Sequence, residues 1–154
     1  MRLSTFRIGV ALCLLIAAAP NVSAQGAKPL EGTYVMSGQN TGNPGTFVNL
    51  IQFDRDGGVR NMAPGPEPPG MHASPGLGQW VRTGPNEFTV HVWFEVVEGD
   101  LSNAHLFGFF KQEFKLSYNA NGIDLSGPFK FVLVDVHDNV LFGGGANILL
   151  KPIS

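Results

Sequence analysis

The chain has 154 residues, a formal net charge of −2, and 44% hydrophobic against 14% charged residues. That balance excludes the basic footprint of a nucleic-acid binder. The length suits one domain, and 20 glycines and 11 prolines set among apolar segments point to turn-rich β structure rather than disorder.

The first element is a targeting segment. Arg2 and Arg7 precede or flank an uncharged run, Ile8 to Ala19, which is too short to cross a hydrocarbon core of about 30 Å as a helix. Val22-Ser23-Ala24 then supplies small residues where signal peptidase reads. The order of these parts predicts a cleaved signal peptide over 1–24, a mature domain over 25–154, and a secreted or periplasmic protein without a membrane span. Cleavage removes Cys13, the single cysteine. The mature domain then has no disulfide or thiolate ligand, and its core must hold it.

After residue 25 the alternation of apolar and polar residues predicts eight strands: 32–38, 46–53, 58–62, 77–82, 87–97, 104–118, 123–137 and 140–150. Asp54 to Gly58, Thr83 to Asn86, Asn119 to Gly122 and His137 to Asn139 carry turn residues between them. Short turns between long strands make antiparallel neighbours. The expected fold is therefore all-β, an eight-stranded antiparallel up-and-down barrel, which leaves no open sheet edge. Gly143-Gly144-Gly145 reads as a bend or bulge at a barrel corner.

One connection is different. Ala63 to Gly76 holds five prolines, which exclude a helix and a central strand. It is expected to be a polyproline-like surface loop, or a lid over the barrel mouth with Met71 and His72 at its tip.

Period two assigns the faces. Phe88, Val90, Val92, Phe94 and Val96 point inward. So do Leu106, Gly108, Phe110, Gln112, Phe114, Leu116 and Tyr118 on the next strand, and Phe129, Phe131 and Leu133 on the one after. Asp135 and His137 share that last parity. Trp93, Phe107 and Phe109 face outward, either as a subunit or partner surface of a homo-oligomer or as scattered aromatics covered by loops.

Gly78-Gln79-Trp80-Val81-Arg82-Thr83-Gly84-Pro85-Asn86-Glu87-Phe88, followed by an alternating apolar strand, resembles small secreted bacterial lipocalin-like (calycin) domains. Gly32-Thr33-Tyr34, Phe53-Asp54-x-Asp56-Gly57-Gly58, Gly122-Ile123-x-Leu125-Ser126-Gly127 and Asp138-Asn139-x-x-x-Phe142 are similar to the same pattern. A more distant similarity is to allene oxide cyclase-like barrels, which bind apolar substrates. The resemblance implies a barrel with a hydrophobic lumen and brings no catalytic residues with it. Trp80 is expected to plug one barrel end, with Arg82 over its face as a cation–π contact.

Few constellations carry chemistry. His91 and Glu95 lie four apart on a strand, about 13 Å between Cα atoms, and cannot share a metal. Asp135-x-His137 puts two ligand-type groups about 6.6 Å apart on one face, short of the three or four ligands zinc requires. Asp54-x-Asp56-x-Gly58 lacks the glutamate of a calcium loop, with Gly65 in its place. No metal site and no cofactor are expected, and no G-x-S-x-G, H-E-x-x-H or P-loop is present. An ionisable group in an apolar lumen would suit acid–base work, with Asp135, His137 and Tyr34 as catalytic candidates. Asp135 and His137 could equally be a solvated pair beside the turn.

The expected functions are then three. The first is an exported barrel holding a small apolar molecule against Tyr34, Phe94, Phe110, Gln112 and Phe131. The second is a cofactor-free isomerase, cyclase or lyase acting on an apolar substrate in the same barrel. The third is a filled barrel without a pocket. For the targeting segment, N-terminal sequencing of protein from its own host should begin at Gln25. An intact Met1 on the folded product would contradict the signal peptide.

Overall fold

The computed structural model describes residues 28–40, 46–62, 70–100 and 102–153. The expected signal peptide lies outside these. The described chain forms nine strands: β1 (Gly32–Asn40), β2 (Thr46–Phe53), β3 (Gly58–Asn61), β4 (Met71–Ala73), β5 (Gly76–Gly84), β6 (Glu87–Glu98), β7 (His105–Tyr118), β8 (Leu125–Asp135) and β9 (Val140–Pro152). All pairings are antiparallel. β4 and β5 pair with successive parts of β6, β4 at Val96–Glu98 and β5 at Glu87–Trp93, and so form one wall position. Eight positions follow one another in chain order, and β9 returns to pair with β1 from Tyr34↔Pro152 to Asn40↔Ala146. The result is the closed, eight-stranded up-and-down barrel expected from the alternation.

The turns are where their residues require them. Gly57, at φ 101°, donates its N–H to Asp54 O, and Asp54 donates to Gly58 O. Asn119 and Asp124 close the β7–β8 turn, and Asp135 and Asn139 the β8–β9 turn. Four points depart from expectation. The proline-rich connection contains strand β4, so Met71 and His72 pair with Glu98 and Val97 instead of forming a loop tip; no proline interrupts 71–73, so the ladder can form. Residues 63–69 of that connection lie outside the described part. A bulge between Val96 and Val97 sets Leu106 opposite Val97, and Leu106 is 44% exposed rather than inward. Phe107 and Phe109 are half-buried on the outer wall instead of free. Finally, Gly143-Gly144-Gly145 pairs in regular register with Val132, Phe131 and Lys130, and the irregularity falls one step earlier, between Leu133 and Val134.

The inner face is apolar and the lower end is closed. Here "lower" means the end that carries the β2–β3, β5–β6 and β7–β8 turns. Leu30, just before β1, is fully buried in one cluster with Tyr34, Phe53, Phe88, Leu116 and Leu125. Trp80 packs edge-on against Phe88 at 5.6 Å and donates its indole N–H to Asp54 O at 2.9 Å. Arg82 covers the Phe88 ring at 4.8 Å, not that of Trp80, because its guanidinium is drawn to Pro85 O and Lys28 O. Tyr118 stands edge-on to Phe88 and donates to Pro29 O.

Two predictions follow for this end. Trp80→Ala should cost about 3 kcal/mol in urea unfolding, since it empties a largely buried aromatic site and removes a hydrogen bond. A loss below about 1 kcal/mol would mean that Trp80 does not plug the barrel. Burial, and next the hydrogen bond to Tyr34, push the Tyr118 phenol above the ordinary tyrosine range. The folded state thus keeps a proton that the unfolded state releases near pH 10, so stability present below that pH is lost as pH rises further. Thermal melts from pH 9 to 11 should fall less steeply for Tyr118→Phe than for the wild type. Parallel curves would contradict this.

Candidate functional site

Inward residues change character along the barrel axis. In the lower and middle layers Met36, Ile51, Val90, Phe114, Leu125 and Leu150 are completely buried. Towards the upper end, Phe110 and Phe131 have inward register yet remain partly exposed, and Phe142 is 46% exposed. An inward side chain that solvent reaches lines an opening. Four strands supply a continuous aromatic wall there. Phe94 meets Phe110 edge-on at 6.0 Å, Phe110 stacks on Phe131 at 5.1 Å, and Phe131 meets Phe142 edge-on at 6.2 Å. Glycine makes room for these rings. A Cβ on Gly76 would collide with the Phe94 ring, and one on Gly144 would lie 2.9 Å from Phe131 Cζ.

Beside this wall the interior carries polar side chains. Asn61 is 0% exposed, Gln112 3% and Asn49 7%. Asn61 Nδ2 donates to Gln112 Oε1 at 3.0 Å, bridging β3 and β7 through the interior. Among the described residues Asn61 Oδ1 has no hydrogen-bond partner. An unsatisfied buried acceptor costs about 1–3 kcal/mol. Gln112 pairs in register with Val92 and Phe131, and Asn61 with Gly76, against which the Phe94 ring lies. The amide pair therefore adjoins the aromatic wall.

The expected ligand residues separate accordingly. Phe94, Phe110, Gln112 and Phe131 come together at the upper end. Tyr34 lies at the closed end, edge-on to Phe53 at 5.6 Å, with its hydroxyl donating to Glu31 O. Asn61, Asn49 and Phe142 are additions from the structure. Asn49 and Asn61 share the parity of Phe47 and Val59 in the sequence, so the alternation carried a signal for both.

The ionisable candidates sit in the β8–β9 turn. The Asp135 carboxylate accepts the backbone N–H groups of His137 and Asn139 and the Asn139 side-chain amide. That amide, then the backbone bonds, hold its carboxyl below the usual range. His137 is exposed. On the outer wall His91 stacks on Trp93 and lies 4.0 Å from Glu113, Trp93 is 45% exposed, and His105 lies 3.5 Å from Glu98. Among the described residues no group of three or more His, Cys, Asp or Glu could hold a metal, and no helix is long and apolar enough to cross a membrane. A groove of about 360 Å³ is lined by Ser37, Gly38, Thr46, Asn147, Ile148 and Leu149 and by none of these residues. No family model, curated protein or solved structure matches the chain.

The opposite faces of β7 give a direct test of this geometry. Phe110→Asp sets a carboxylate among Phe94, Phe131 and Gln112 and should cost about 2–4 kcal/mol. Phe109→Asp, on the outer wall opposite Glu95 and Val134, should cost at least about 1 kcal/mol less. Equal losses in urea melts would contradict the assignment of Phe110 to the interior.

Proposed function

We propose that the protein is an exported barrel that binds a small apolar molecule at the upper end of its lumen. The observation that carries this reading is the set of inward yet accessible rings of Phe110, Phe131 and Phe142 beside the buried Asn61–Gln112 amide pair. A mostly apolar concavity with a few convergent polar groups is the usual make-up of a small-molecule site. An eight-stranded barrel has room for its own side chains or for one small ligand. Here the lower layers take the first course and the upper layer is suited to the second. Binding is favoured over conversion of a substrate because the Asp135 carboxylate is engaged by its turn rather than by the aromatic wall.

The test is a titration with the apolar fluorophore N-phenyl-1-naphthylamine. Saturable binding at one site is expected, weakened only mildly by Phe110→Leu and abolished by Phe110→Asp. Phe109→Asp should leave it within about threefold of the wild type, which is under 1 kcal/mol. Absence of saturable binding, or equal loss at residues 109 and 110, would contradict a lumenal site and favour a filled barrel.

A further inference from the structure

The Asn61 carboxamide is the least explained group in the interior. It is fully buried, it uses Nδ2 to hold Gln112 Oε1, and its Oδ1 accepts from none of the described residues. Buried carboxamides ordinarily satisfy both ends, because a bare acceptor in an apolar surrounding forfeits the hydrogen bonds that water would give it. An apolar residue at 61 would avoid that loss and would continue the inward series of Val59. The donated bond also matters for orientation. With one Nδ2 hydrogen engaged by Gln112, Oδ1 is the atom of the Asn61 amide left without any partner among the described residues, and its lone pairs accept only.

Around this acceptor the surroundings are aromatic. Gly76, directly opposite Asn61 in register, is roofed by the Phe94 ring, and Phe94 continues into Phe110 and Phe131. Gln112, which holds Asn61, is itself opposite Phe131. Flat apolar surface and a single fixed acceptor thus occur together.

We infer that Asn61, held by Gln112, is a specificity-determining residue whose Oδ1 accepts a hydrogen bond from the ligand. The ligand class is a small aromatic or otherwise flat apolar molecule with one hydroxyl or N–H donor, such as a phenol or an aryl alcohol. This rests on the lumenal site proposed above and adds the polarity of the head group. A site built to pair with a donor discriminates against the analogue that lacks it, because the protein group is then left unpaired.

Three probes of matched shape separate the possibilities: 2-naphthol, 2-methoxynaphthalene and 2-methylnaphthalene. They offer a donor, an acceptor alone, and neither. Titrated calorimetrically into the intact protein, 2-naphthol should bind about tenfold more tightly than the other two. In Asn61→Leu/Gln112→Met, which replaces both amides by apolar groups of similar size, the ratio should fall to about one with 2-methylnaphthalene still bound. The wild-type ratios test the inference even if that variant does not fold. Equal binding of all three probes by the wild type would overturn the head-group assignment and leave the lumenal site standing. Preference for 2-methoxynaphthalene would also overturn it, since the free end of the amide would then be a donor. A tenfold preference that persists in the double variant would assign recognition to another group. Binding of none of the three would overturn both readings.

Discussion

Closure of the sheet between β9 and β1 is the constraint on which the rest of the molecule depends. From Tyr34↔Pro152 to Asn40↔Ala146 the last strand satisfies the backbone groups of the first. The β6–β7 ladder continues the wall from Glu87↔Ser117 to Glu98↔His105. These two ladders close the sheet on itself and remove its long open edges. Once eight positions close, the radius is fixed, and what the protein can do is decided by what fills the interior. No disulfide is available to the described domain, so side-chain burial has to hold this closure.

The filling is uneven along the axis. At the lower end Leu30, Tyr34, Phe53, Phe88, Leu116 and Leu125 pack with almost no exposure, each large apolar side chain contributing about 1.5–3 kcal/mol by its removal from water. Trp80, Tyr118 and Arg82 finish that end, and each of them has its polar group bonded to a backbone carbonyl. At the upper end the rings of Phe110, Phe131 and Phe142 are less covered, although they extend the same inner face. Beside these rings lies the Asn61–Gln112 bridge. Replacing such a pair by packed apolar residues would be close to neutral or stabilising on general grounds. Stability alone therefore does not account for the amides, and the binding proposed for the upper lumen would give them a role.

Much of this was legible in the sequence, and the reason is the strict period of two. Along 87–97 the inward set Phe88, Val90, Val92, Phe94 and Val96 is buried throughout, and Phe129 and Leu133 follow the same rule on β8. The turns at Asp54–Gly58 and Asn119–Asp124 were marked by residues that tolerate their backbone. The errors arise where periodicity is interrupted. A bulge at Val96/Val97 turns Leu106 outward, and nothing in His105-Leu106-Phe107 announces it. β4 is only three residues long and adjoins a proline-rich span, so its composition reads as loop. Arg82 over Phe88 rather than Trp80 depends on the carbonyls of Lys28 and Pro85, a tertiary arrangement that no spacing encodes. Of the candidate site, the three phenylalanines and Gln112 were legible from parity. Asn61 was not singled out, because its meaning lies in a partner 51 residues away.

The central claim is that the upper lumen, and no other part of the barrel, receives an apolar molecule. The most direct measurement is a ¹H–¹⁵N NMR titration of the labelled protein with 2-methylnaphthalene. The account predicts saturable shifts at the amides of Phe94, Phe110, Gln112, Phe131 and Gly144, with Trp80, Phe88 and Tyr118 at the closed end nearly unmoved. Shifts confined to the outer wall around Leu77 and Trp93, or no saturable shifts at all, would contradict it.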